Sequence, residues 1–312
     1  MGSTASHSRC SPRRAIAAAA LAFGLGVAAL LLGPSVASAQ QAVNSFTGVT
    51  IFPEGSAVRS HVRVRRLDEI QVIFVPTTIA YGISTNLTLA ATVPYFRKER
   101  ESLDPGGQLV SRAAAGFGDI VLAAKYRFLN LNGYRKTLQL AALGGVKLPT
   151  GATDAASGGQ LLPIPLQPGS GSVDWLAAVG ATGIDNWRVV HVSVLYKRNT
   201  QGARDFHFGD VFNYNLALLA RVLHVKYPGP ELYLGLELNG EVLGRSQVAG
   251  ADVTDSGGHR MFLSPDFVFF LFRNLTLEGS VQVPVLQDLN GTQPDESVRF
   301  VLGFRLQYGL YF

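Results

Sequence analysis

The chain has 312 residues, 47% of them hydrophobic and only 16% charged, with 27 Lys+Arg against 22 Asp+Glu and one cysteine. The cysteine, Cys10, and three of the basic residues, Arg9, Arg13 and Arg14, fall in the first forty positions, so the remainder is close to neutral and cysteine-free. That excludes a disulfide scaffold and a thiolate metal site, and it gives no compositional support for nucleic-acid binding.

In chain order, the arginines precede an apolar run over 15–32, and Ala37-Ser38-Ala39 supplies a small-x-small cleavage site. This is the pattern of a secretory signal peptide over residues 1–39, removed after Ala39. Cys10 stands before the apolar run and is not a lipid-anchor position. No later apolar stretch reaches the length of about 18 residues that a helical span needs. Residues 40–54 carry no periodicity and read as a periplasmic lead-in or a small internal plug.

From residue 55 a period of two takes over, the signature of strands with one apolar and one polar face. Strands are expected near 55–68, 71–83, 86–97, 117–129, 137–149, 173–184, 187–199, 210–223, 231–244, 259–272, 275–287 and 297–312. Short connections rich in turn formers, such as Ser84-Thr85-Asn86 and Asp185-Asn186, alternate with longer polar ones at 98–116, 150–172, 200–209, 245–258 and 288–296. The connection at Asp68-Glu69 is the exception, being short where a long one falls due. Short periplasmic turns and long outer loops produce such an alternation, with an even strand number and both termini in the periplasm. The expected fold is therefore all-β: a transmembrane, antiparallel, up-and-down β-barrel of about twelve strands over 55–312, in a Gram-negative outer membrane.

The two faces separate by chemistry. An Arg or Lys facing lipid costs about 2–4 kcal/mol at the midplane, so the side bearing charges is the lumen. The first strand places Arg59, His61, Arg63 and Arg65 on one face, and the last strand, its partner on closure, adds Arg299 and Arg305. Further lumen candidates are Asp119, Lys125, Arg127, Lys147, His191, Arg221, Glu237, Glu241, Asp266 and Glu278. A basic wall of this kind favours anions, unless the acids neutralise it across a narrow barrel. Tyr81, Tyr95, Phe96, Phe128, Trp187, Tyr196 and Tyr308 fall near strand ends and suit interfacial girdles. In the final strand, Phe304, Leu306, Tyr308, Leu310 and Phe312 resemble the terminal aromatic signal read by the barrel-assembly machinery.

Little in the chain points to catalysis. His191-Val192-Ser193 puts imidazole and hydroxyl on one strand face, but no neighbouring acid supplies the third member a nucleophilic serine needs. His207, His224 and His259 lack metal-ligand spacing, and no phosphate-binding glycine loop is present. No catalytic residue, cofactor or metal is expected. The loop 150–172 holds an apolar patch at 161–166 that either folds into the mouth or sits in the outer leaflet.

Three stretches carry a resemblance: 86–98 (N-L-T-L-A-A-T-V-P-Y-F-R-K), 116–128 (G-F-G-D-I-V-L-A-A-K-Y-R-F) and 140–151 (L-A-A-L-G-G-V-K-L-P-T-G). They resemble the outer-membrane channel family associated with the meta-pathway of phenol degradation, with Gly116, Gly118, Asp119, Lys147, Pro149 and Gly151 matching its motifs. The resemblance implies a non-enzymatic channel for small solutes, hydrophobic or aromatic compounds among them. The expected partners are outer-membrane lipid, against the apolar faces, the assembly machinery, through the terminal strand, and the solute. Two rival readings remain open: a lipid hydrolase, if His191 or Ser193 faces lipid with a third partner, and a closed structural barrel, if charged pairs fill the lumen completely.

Overall fold

The computed structural model describes residues 42–103, 109–225, 229–272 and 274–308. The expected signal peptide, and Leu310 and Phe312 of the expected assembly signal, lie outside the described residues. Thirteen strand segments form one antiparallel sheet: β1 (Ser56–Leu67), β2 (Ile70–Gly82), β3 (Leu87–Leu103), β4 (Leu109–Phe117), β5 (Val121–Gly133), β6 (Lys136–Lys147), β7 (Asp174–Asp185), β8 (Arg188–Arg198), β9 (Val211–His224), β10 (Glu231–Leu243), β11 (Gly258–Phe270), β12 (Leu275–Leu289) and β13 (Arg299–Tyr308). Each strand pairs with its sequence neighbours, except that β5 pairs with β3 rather than β4, and β13 pairs with β1 from Tyr308 opposite Ser56 to Phe300 opposite Val64. The ring is closed, which removes the unpaired edges an open sheet would expose.

Two of the thirteen segments share one place in the wall. β4 pairs with the outer half of β3, Tyr95 to Leu103, while β5 pairs with its inner part, Leu87 to Thr92. They run in series, interrupted at Gly118-Asp119-Ile120, so the barrel has twelve wall positions as the periodicity predicts. The stretch 98–116, expected to be a loop, is instead mostly this β3–β4 hairpin. It extends past Lys147, where β6 ends, and its far part, with Arg100, Glu101, Ser111 and Arg112, is exposed on both faces. Polar contacts such as Ser111 Oγ donating to Glu99 at 2.8 Å replace the apolar alternation there, so its strands were invisible to a period-two reading.

The barrel is inside out relative to a water-soluble protein. Large apolar side chains such as Val62, Leu122, Leu234, Val283, Phe300 and Leu302 are exposed on the outside, while Arg305, Glu237, Glu278, His191 and Glu296 are among the most buried residues. Even the outward hydroxyls are satisfied in pairs, Ser60 with Thr77 at 2.9 Å. Tyr81, Tyr95, Phe128, Trp187, Tyr196 and Tyr308 are exposed, as girdle residues should be. Phe96 is not with them. It stacks on Phe74 at 4.7 Å and fills the space above Gly118. Short turns such as 134–135 lie at the end where β1 begins and β13 finishes, the turn end; the long connections crowd the opposite, loop end.

Candidate functional site

The interior is built around a segment the sequence shows only as unpatterned. Residues 42–54 enter at the turn end, where Glu54 and Gly55 hydrogen-bond with Gly82, and run inside the ring of strands. Without a partner strand, the segment's backbone must be satisfied by side chains of the wall. Ile51 N donates to Thr88 (β3), Gly48 N to Thr182 (β7), and Val43 N and Asn44 N both to Glu237 Oε1 (β10), at 2.9–3.0 Å. Ser45 Oγ donates to the other oxygen of Glu237 at 2.5 Å. In the reverse sense, Lys125 (β5) donates to Val49 O and Arg59 (β1) to the carbonyls of Ala42 and Val43. Gly180 leaves room for the Phe46 ring, which a Cβ there would meet at 2.7 Å, and the Lys125 ammonium lies 4.7 Å from that ring's centre.

Ala42 and Val43 complete an apolar cup. They pack with Ile184, Val189, Ala217, Leu219, Tyr233, Val268 and Val301, and Phe270 lies against the group. The cup adjoins, through Val301, the seam of β1 and β13, where His61 and Arg305 are buried. Arg59 Nε and His61 Nε2 both reach Glu278 Oε1 at 2.5 Å. Arg63 and Arg305 make no salt bridge among the described residues, and none of the three guanidinium nitrogens of Arg305 has a hydrogen-bond partner. Arg305 is 1% exposed and stands 5.9 Å from the centre of the Phe270 ring. Asp266, also inward, lies against Gly235.

Toward the loop end a second charge cluster centres on Glu296. Arg65 and Arg299 both grip it at two atoms, Arg260 reaches it at 3.3 Å, and Arg299 also holds Glu241 at 2.7 Å. Burial works to raise the Glu296 carboxyl, but the hydrogen bonds from Arg299 and Arg65 outweigh it and hold it at about 2. Sequence reasoning missed Glu296 and Arg260. Glu296 sits in a polar connection, and only its nearness to the last strand's Arg299 hinted at a role.

Four of the motif residues of the family resemblance, Gly118, Asp119, Lys147 and Gly151, meet at one node of the loop end. Lys147 donates to Asp119 at 2.8 Å, forms a salt bridge with Asp174 at 2.8 Å, and also bonds Ser170. Asp119 accepts from the backbone N–H groups of Gly151 and Ser170 at 2.9 Å. A Cβ on Gly151 would meet Gly169 at 2.6 Å and Gly118 at 2.8 Å, so the glycines allow three chain segments to touch. This node, and Lys98 donating to the carbonyls of Pro165 and Gln167, fold the loop after β6 inward. Leu162 and Leu166 are thereby buried against Ala114, while Leu161 stays exposed. Arg127 and Arg221 lie at the turn end, Arg127 on Thr85 O and Asn86, Arg221 near Glu231 and the Trp187 ring.

The histidine–serine pair does not form a catalytic arrangement. His191 is fully buried and its Nδ1 bonds Thr182 at 2.8 Å, while Ser193 Oγ accepts from Asn215 at 3.3 Å. Neither reaches the outer face. Among the described residues no cluster of His, Asp and Glu could hold a metal ion.

A closed antiparallel ring with an apolar exterior and a charged, hydrogen-bonded interior is an up-and-down β-barrel. Over residues 55–285 the chain matches the family described as "Putative MetA-pathway of phenol degradation", and it belongs to that family. Its fold is similar to the COG4313 outer membrane channel from Pseudomonas putida F1, with a TM-score of 0.60 at 14% identity, covering 86% of this chain and 100% of that one. Similarity extends to the NanC porin (TM-score 0.46, 7% identity, 80% of this chain and 98% of that one). It extends also to the beta domain of the Bordetella autotransporter BrkA (TM-score 0.43, 11% identity, 81% and 99%). No curated protein matches the chain.

Proposed function

We propose that this chain is an outer-membrane channel through which small solutes, hydrophobic or aromatic compounds among them, pass without catalysis or cofactor. The observation that carries this reading is the reversal of the two faces: apolar residues such as Phe300 and Leu302 exposed outside, and Arg305, Glu237 and Glu278 buried inside. In water such an exterior would aggregate, and in a bilayer it is the stable arrangement. The turn end then faces the periplasm, the chain is exported on the signal over 1–39, and the assembly machinery inserts it. Residues 42–54 act as the plug that narrows the lumen. The unpartnered guanidinium of Arg305 speaks against a lumen completely filled by charge pairs, and His191 bonded to Thr182 speaks against a hydrolase.

The test is conductance of the purified protein in a planar bilayer, with ion selectivity. Discrete steps with anion preference, the preference falling in Arg59→Ala/Arg63→Ala, are the expected result. A silent bilayer together with a lipase activity abolished by Ser193→Ala would overturn the reading.

A further inference from the structure

The periplasm-facing end of the lumen combines two surfaces that seldom meet. One is the cup of Leu219, Tyr233, Val268 and Phe270; the other is the pair Arg59 and Arg305, opposite each other on β1 and β13. Phe270 joins the two, packing on the cup and lying 5.9 Å beneath the Arg305 guanidinium. A buried cation with no hydrogen-bond partner is expensive, and a site that keeps one is arranged for an acceptor that the chain does not supply. Glu278 supplies charge nearby but not the acceptor: its Oε1 is held by Arg59 and His61, and its Oε2 makes no hydrogen bond to Arg305. The inner segment meanwhile shows what shape of ligand the place takes. Ala42 and Val43 put apolar side chains into the cup and offer their carbonyl oxygens to Arg59 at 2.9 and 3.2 Å.

We propose that this end of the lumen is a binding site for a small carboxylate with an apolar, ring-sized body. The carboxylate rests on Arg305 and Arg59, the body on Phe270 and Tyr233, and the ligand takes the place of Ala42 and Val43. A guanidinium matches a carboxylate with two parallel hydrogen bonds, and an aromatic ring under it adds a cation–π contact. The site rests on the reading of the protein as a channel, of which it defines the solute class, and it makes the inner segment a competitor of the solute.

Titration calorimetry on the detergent-solubilised protein tests this directly. Benzoate is expected to bind saturably, and both benzyl alcohol and acetate about tenfold or more weaker, the first lacking the charge and the second the body. Arg305→Gln is expected to erase the preference for benzoate over benzyl alcohol. Glu237→Gln, which keeps both arginines but loosens residues 43–45, is expected to tighten benzoate binding, and it decides the matter if Arg305→Gln does not fold. Equal binding of benzoate and benzyl alcohol, an undiminished preference in Arg305→Gln, or no gain in Glu237→Gln would overturn the proposal. Conductance without benzoate preference would sink the site and leave the channel; benzoate preference with a silent bilayer would do the reverse.

Discussion

Arg59 and Arg305 face each other directly across the seam where β13 closes onto β1. Like charges in opposed positions destabilise a strand pair, and here they sit at the join that completes the barrel. The seam is tolerated because Glu278, on the next strand, brings its carboxylate to Arg59 Nε and His61 Nε2 at 2.5 Å. Gly303 makes this reach possible, because a Cβ there would meet the His61 ring at 2.6 Å.

Removing that carboxylate should therefore loosen the closure. Glu278→Gln leaves Arg59 and Arg305 opposed without a counter-charge, and breaking a buried ion pair from one side costs about 3–5 kcal/mol. The expected outcome is a lower temperature for loss of the compact, heat-modifiable band on electrophoresis. Adding Arg59→Met to Glu278→Gln should recover part of the loss. An unchanged transition in the single variant would mean that the seam is held by its backbone ladder alone.

The inner segment hangs chiefly on one side chain. Glu237 accepts from Val43 N, Asn44 N and Ser45 Oγ, and hydrogen bonds to a charged group are each worth about 1.5–3 kcal/mol. Glu237→Gln keeps the shape but loses the charge, so residues 43–45 should leave the wall more often. In bilayer recordings this predicts larger or more frequent openings than the unsubstituted protein shows. Identical recordings would place the hold further along, at Lys125 on Val49 O or Gly48 N on Thr182.

How much of this was legible in the sequence depends on whether the two faces of a stretch meet different surroundings. In β13, Phe300, Leu302 and Phe304 face out and Arg299 and Arg305 face in, so alternation alone gives strand and orientation. The β3–β4 hairpin has polar contacts on both sides and shows no alternation. Lumen charges were visible one by one, because a charge in an amphipathic strand can only point inward. Their partners were not: Glu278 finds Arg59 only after the ring closes, and Glu296 comes from a connection with no pattern at all. The segment 42–54 has no period because its bonds go to side chains on many strands rather than to one neighbour.

The cluster at Glu296 carries a pH signature. Its folded carboxyl is held at about 2, below its ordinary value of 4.5. A depressed acid stabilises the fold fully above its unfolded pKa, and the contribution fades as pH falls through the window down to the folded value. Heat-modifiability measured from neutral pH down to about pH 2.5 should thus show a stability loss beginning below about pH 5. In Glu296→Gln the loss over that window should be shallower, from a lower starting point, since Arg65, Arg260 and Arg299 lose their shared counter-charge. Parallel pH profiles for the two proteins would show that other carboxylates govern acid stability.

The position of the apolar belt can be tested at Leu302, which is 62% exposed and lies midway along the seam, opposite Val62 on β1 and Gly279 on β12. In contact with water, Leu302→Arg would change stability by no more than about 0.5 kcal/mol. In contact with hydrocarbon it should cost about 2–4 kcal/mol relative to Leu302→Ala, the penalty falling toward zero near the interfaces. Urea titration of both variants folded into phospholipid vesicles separates the cases. A penalty in that range places β13's outward face at the bilayer midplane, and with it fixes the depth at which Arg59, Arg305 and Glu278 sit inside. Equal stabilities would take this face out of the membrane, and the reversal of apolar and charged faces would then need another partner to cover it.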